Sequence, residues 1–235
     1  MGQIALNIST ILDKIAKAQV QYNKENVSLL CVSKTKPIEA IKEAYDCGQR
    51  HFGENYVQEA NEKIPAFLQK YNINDITWHF IGPIQSNKSR IIANLFDVVE
   101  SVDRIKIAKR LNEQRDSTKG PLSVLIQVNI SNEDQKSGCS LDDIEDLINY
   151  IVNECENLQL HGFMVIAKDT DNKDEIKKEF ISIYKVFEHY NKILPHFDTL
   201  SMGMTHDMQE AICCGSTQIR IGTAIFGARD YSKRV

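Results

Sequence analysis

The sequence predicts an α/β fold, a (β/α)8 or TIM barrel built by residues 1–235 as a single domain. Three observations lead there. Short apolar or alternating runs recur eight times, and stretches of helical 3.6-type spacing lie between them. No Pro/Gly/Ser-rich linker, low-complexity tract or strong repeat divides the chain. Strand–helix alternation with eight strands favours a closed barrel over an open doubly wound sheet, and 235 residues suits one such unit.

The opening segment, 1–25, reads as an amphipathic helix that plugs or flanks the barrel. Ile4, Ile11, Ile15 and Val20 recur along it, and Asp13, Lys14 and Lys17 interrupt any signal-peptide core. Strands are expected at 28–33, 50–53, 77–81, 97–101, 122–130, 159–166, 197–202 and 217–221. Helices are expected at 38–47, 54–70, 85–94, 103–115, 141–154 and 174–192, with a short one at 206–213. Pro37 opens the first of these, where a missing N–H costs little. Ser140, followed by Leu141-Asp142-Asp143, reads as an N-cap with acidic residues in the first turn.

Composition excludes several classes. A net charge of −4 and a pI near 5.9 give no basis for binding nucleic acid or an anionic membrane. The start MGQIAL lacks the Ser or Thr of a myristoylation signal, and no run of apolar residues is long enough to span a bilayer. The six cysteines form no CxxC pair or metal-ligand rhythm, so reduced thiols in a cytoplasmic protein are expected.

In a barrel the carboxyl ends of the strands share one rim, where function collects. Lys34 closes the first apolar run, and alternation places it on the face of Leu30 and Val32. An amine beside buried aliphatics is a candidate for a Schiff base with a carbonyl compound; the ordinary alternative is a lysine reaching water along its stem. Two small-residue turns follow strands seven and eight. Ser201-Met202-Gly203-Met204-Thr205 offers hydroxyls and a close backbone approach, and Gly222-Thr223 offers N–H groups. Such turns suit a phosphate, although each is also ordinary turn chemistry. Neither is a Walker loop or a dinucleotide fingerprint.

Lysine and cup together suit pyridoxal 5'-phosphate (PLP), which carries an aldehyde and a phosphate on one ring. Arg220, on the eighth strand, is then a candidate partner of the ring nitrogen, where a permanent cation weakens the ring as an electron sink; a structural salt bridge is the alternative.

The segments VSKTKP (32–37), GQRHFGENYVQEA (48–60), WHFIGPIQSNKSR (78–90), VNISNEDQKSG (128–138), DTLSMGMTHDMQEAI (198–212) and IRIGTAIFGARDY (219–231) closely resemble the pyridoxal phosphate homeostasis (YggS/PROSC) family. The resemblance covers nearly the whole chain. It implies a barrel like the N-terminal domain of alanine racemase, without that enzyme's β-rich second domain. It also implies that Lys34, rather than Lys36, forms the internal aldimine. Phosphate contacts carry over to Ser201, Gly203, Gly222 and Thr223, and the ring-nitrogen contact to Arg220. Asn55, His79 and Met164 match pocket positions, and Thr205 stands where serine is frequent. For Lys36 and Lys136 the solvated-lysine reading outweighs a role in holding phosphate or accepting aldehyde.

Three functions compete. A PLP carrier would hold the cofactor, buffer it, or deliver it to apo-enzymes without robust turnover, acting as a cytoplasmic monomer. A racemase needs a second acid/base opposite Lys34, for which only Tyr56 and Tyr231 offer themselves. A sugar-phosphate enzyme is disfavoured by the scarcity of strand-end carboxylates other than Glu54 and Glu100. The carrier is the expectation.

Overall fold

A computed structural model of the chain describes residues 2–131, 133 and 137–228. Helix α1 (Gln3–Tyr22) precedes β1 (Ser28–Val32) and α2 (Ile38–Asp46). The alternation continues with β2 (His51–Glu54), α3 (Val57–Tyr71), β3 (Thr77–Phe80) and α4 (Ser89–Leu95). Then come β4 (Val98–Val102), α5 (Ile105–Gln114), β5 (Leu122–Val128) and α6 (Ile144–Glu154). The described elements finish with β6 (Leu158–Val165), α7 (Lys173–Asn191), β7 (Thr199–Ser201), α8 (Met208–Cys213), β8 (Gln218–Ile221) and α9 (Thr223–Phe226).

All eight strands are parallel and hydrogen-bonded in sequence order, and β8 returns to β1 to close the barrel. This is the expected architecture. Outward residues of the strands, such as Phe52, Trp78, Phe80 and Phe163, meet the helices in a continuous apolar shell. Phe52 and Phe67 both stack near Trp78, and Phe80 packs on Phe96. In β6 one residue more than its partner strand uses separates Leu160 from Gly162, so the register slips at a bulge containing His161.

Local details refine the sequence reading. Helix α1 flanks the barrel against α2, α8 and α9, burying Ile8, Ile11, Ile15 and Ala18. Val20 is 85% exposed and lies off that stripe, near the carboxyl end of the helix. Helix α6 starts at Ile144 rather than 141: the Ser140 hydroxyl bonds Asp143 and shapes a turn before the helix instead of capping it. Strand β1 ends at Val32, so Lys34 sits in the following turn.

The barrel interior departs from the aliphatic layers usual in this fold. Alternation in β3, β4, β7 and β8 turns His79, Glu100, Ser201, Gln218 and Arg220 inward, and all are buried. Their hydrogen bonds to one another compensate for the lost water.

Candidate functional site

Two cavities occupy opposite ends of the barrel. The larger, about 410 Å³, opens at the amino ends of the strands and is lined by His51, His79, Glu100, His161 and Asp198 among others. The smaller, about 180 Å³, opens at the carboxyl ends. Size does not decide between them. In this architecture the carboxyl-end loops carry function, and only the smaller cavity combines a lysine with small-residue turns.

Lys34, Asn55, Met164, Arg220, Gly222 and Thr223 all line that upper cavity. Val32, Ile81, Ile166 and Met204 supply apolar walls, and Lys36 and Thr205 stand at its edge. Lys34 is half-buried in a turn whose next residue, Thr35, holds a left-handed φ of 64°. A β-branched residue resists that conformation, at a cost of about 1–3 kcal/mol, so its surroundings must enforce it.

They do so with ionic groups behind the strand. Glu59 accepts from the Thr35 N–H at 2.7 Å. Lys63 donates to the Ser33 carbonyl at 3.0 Å and to Glu54 at 2.9 Å, and also contacts Glu59. The Ser33 hydroxyl donates to Glu54 at 2.7 Å. Burial pushes the Glu54 carboxyl above its ordinary value even though Lys63 and Ser33 pull it back. Glu54 was expected on the rim; β2 alternation turns it outward, with Phe52, beneath α3.

On the opposite wall, Gly222 and Thr223 open α9, whose first N–H groups have no partner within the helix. Lys36 donates to the Gly227 and Ala228 carbonyls at 3.1 and 2.7 Å, tying the end of this turn to the lysine loop. The Arg220 guanidinium donates to the Ser201 and Val165 carbonyls at 2.7 and 2.8 Å, and to the Ser201 hydroxyl at 2.9 Å. Burial pulls its pKa down, opposed by the charges of Glu100 and Asp207.

Three residues expected in the site stand elsewhere. Ser201 is fully buried and its hydroxyl is taken up by Glu100, Gln218 and Arg220, so Thr205 supplies the hydroxyl at the cavity wall. Gly203 lies behind the wall: with φ of 98°, it lets its turn press on α8 and β8, where a Cβ would come within 2.5 Å of Ala211. His79 is one residue short of the strand end and points down the barrel toward Glu100 and His51. Lys136 and Tyr231 lie outside the described residues.

Does the cavity suit PLP? Asn55 presents a buried Oδ1 with no hydrogen-bond partner among the described residues, beside an amine, a guanidinium and a small-residue turn. An unsatisfied acceptor of this kind calls for a ligand donor, and the set of groups fits a small phosphorylated carbonyl compound.

Residues 6–230 match the family described as "Alanine racemase, N-terminal domain". The "Pyridoxal phosphate homeostasis protein" of Haemophilus influenzae is 52% identical over 230 residues, 96% of either chain. The chain belongs to the pyridoxal phosphate homeostasis protein family. Among solved structures, PipY of Synechococcus elongatus with PLP bound is 33% identical, with a TM-score of 0.82 over 95% of this chain and all of that one. Alanine racemase of Corynebacterium glutamicum shares the fold alone, at 16% identity and a TM-score of 0.71, and this chain spans 61% of it. Membership in the homeostasis family thus rests on full-length likeness, not on a shared barrel.

Proposed function

We propose that this protein binds PLP in the upper cavity, attached through a Schiff base to Lys34, and buffers the cofactor or delivers it to apo-enzymes. The observation that carries this reading is the convergence of Lys34, Arg220 and the Gly222–Thr223 turn on one cavity of about 180 Å³. PLP supplies an aldehyde that condenses with a primary amine, releasing water, and a ring that withdraws electrons.

Each residue then has a task. Lys34 presents its amine from a turn fixed by Glu59 and Lys63. Gly222, Thr223 and Thr205 face the phosphate with N–H and hydroxyl groups, and Met164 and Ile81 cover the ring. Arg220 donates toward the ring nitrogen, where its permanent charge disfavours a proton and restrains carbanion chemistry. Asn55 accepts from the cofactor or from an incoming amine. The homeostasis name of its relatives supports a carrier without robust turnover; that it acts as a cytoplasmic monomer is part of the same proposal.

Racemization is the alternative, and it needs a second acid/base across the ring from Lys34. Tyr56, one candidate, is 39% exposed and outside the cavity lining. Borohydride reduction of the PLP-treated protein followed by peptide mass spectrometry tests the attachment: the pyridoxyl adduct is expected on Lys34 and absent in Lys34→Ala. Recovery of the adduct only on other lysines defeats the assignment. Incubation with L-alanine in deuterated water separates the readings, since sustained D-isomer formation with α-deuteration establishes the racemase.

A further inference from the structure

A continuous line of hydrogen bonds runs through the barrel from one cavity to the other. At the lower end the His51 and His79 rings meet, Nδ1 to Nε2, at 3.0 Å. His79 Nδ1 stands 2.7 Å from Glu100 Oε1. The other carboxylate oxygen, Oε2, accepts from the Ser201 hydroxyl at 2.6 Å. That hydroxyl accepts in turn from Arg220 Nη1 at 2.9 Å. Gln218 braces the centre, donating to Glu100 at 2.7 Å and to Ser201 at 2.9 Å. Glu100, Ser201, Gln218, His79 and Arg220 are all buried, so the geometry does not depend on surface side chains.

We propose that Glu100 is a positioning residue for Arg220, acting through the Ser201 hydroxyl, and that the His79–His51 pair couples this hold to the lower cavity. This rests on the reading that Arg220 faces PLP in the upper cavity.

Charge and directionality both support the assignment. A buried guanidinium needs a counter-charge, and Glu100 is a fully buried carboxylate that shares the Ser201 hydroxyl with Arg220. Ser201 can donate to only one acceptor; by giving its proton to Glu100 it turns its lone pairs toward Arg220 and Gln218. His79 Nδ1 shares Oε1 with Gln218, and with its proton donated there Nε2 is left to accept from His51. Changing any member therefore reorients the next. A purely space-filling core would have used the aliphatic layers of an ordinary barrel here.

The test combines two measurements. In cofactor-free protein, Glu100→Gln is expected to shift the NMR signals of the Arg220 guanidinium and of the His51 and His79 rings together. PLP affinity, by equilibrium dialysis, is expected to fall about tenfold in Glu100→Gln and to change little when the same substitution is added to Arg220→Gln. If Glu100→Gln does not fold, Ser201→Ala removes the bridge while keeping the carboxylate and takes its place in both measurements. Unmoved Arg220 signals, or additive losses in the double variant, overturn the proposal. Wild-type protein that fails to bind PLP refutes the cofactor reading instead, and the cofactor-free spectra then decide the positioning role alone.

Discussion

The Lys63 ammonium donates to the main-chain carbonyl of Ser33 at 3.0 Å, one residue before Lys34. A cation on α3 thus holds the backbone that presents the candidate cofactor lysine. The same ammonium neutralises Glu54, so the support is ionic, buried and outside the cavity.

Removing one partner of such a pair leaves an uncompensated charge. Lys63→Met is expected to lower stability by about 3–5 kcal/mol at neutral pH, measured by urea unfolding. Because burial already pushes Glu54 upward, its carboxyl takes a proton in the variant, and the loss should shrink as pH falls. Adding Glu54→Gln should restore most of the stability.

Lys36 offers a milder perturbation. It bonds two carbonyls at the end of α9 and leaves the Lys34 turn itself untouched. Lys36→Met is expected to weaken PLP binding about fivefold, the worth of a hydrogen bond of about 1 kcal/mol, with the borohydride adduct still on Lys34. Dialysis and peptide mapping check the two halves.

Gly82 abuts the backbone of Asn55. A Cβ at that position would lie 2.1 Å from the Asn55 carbonyl oxygen, a main-chain atom with no flexible end to yield. Gly82→Ala should cost about 1–3 kcal/mol of stability and reduce PLP affinity through displacement of Asn55, both readable in one thermal-shift titration with and without PLP.

Acid stability carries a signature of Glu100. Burial would raise its pKa, but hydrogen bonds from His79 and Ser201 and the Arg220 cation leave it below the ordinary 4.5. In the window between that lowered value and 4.5 the unfolded chain binds the extra proton, so stability rises with pH there. Its contribution is present above 4.5 and is lost as pH falls through the folded value. Glu100→Gln should therefore flatten the stability curve below pH 4.5, in urea titrations at stepped pH.

Thiol chemistry gives an independent check of burial. Burial pushes both Cys31 and Cys139 up to about 12. At pH about 8 in the folded protein both should resist iodoacetamide and react only after denaturation, since the thiolate is the nucleophile. Rapid labelling of Cys31 in native protein would contradict the barrel packing around β1.

Much of this fold was legible because strand and helix periods differ, and the alternation of the two survives errors of one or two residues at element ends. The same alternation put Lys34 on the face of Leu30 and Val32, and Val32 and Lys34 do line one cavity although β1 ends before the lysine. What escaped was depth along a strand. Ser201 and Arg220 occupy neighbouring strands, but a three-residue β7 leaves Ser201 inside the barrel rather than at its rim. His79, likewise, is inward as alternation requires but too low to line the upper cavity. The ionic brace of Glu54, Glu59 and Lys63 joins two elements through contacts that no local pattern displays. Glu100 did leave a signal: a carboxylate inside an apolar strand needs buried partners, and Gln218, two residues before Arg220 on an inward face, was among those available.

The closure of the barrel by β1 and β8, with Ser28 beside Gln218 and Leu30 beside Arg220, also sets an order of events during synthesis. A ribosome releases Lys34 early, yet the opposing cation and the glycine turn emerge only after nearly two hundred further residues. An unfinished chain therefore displays the amine without the pocket. On the proposed reading, the pocket that would hold PLP around that amine is assembled only once β8 pairs with β1.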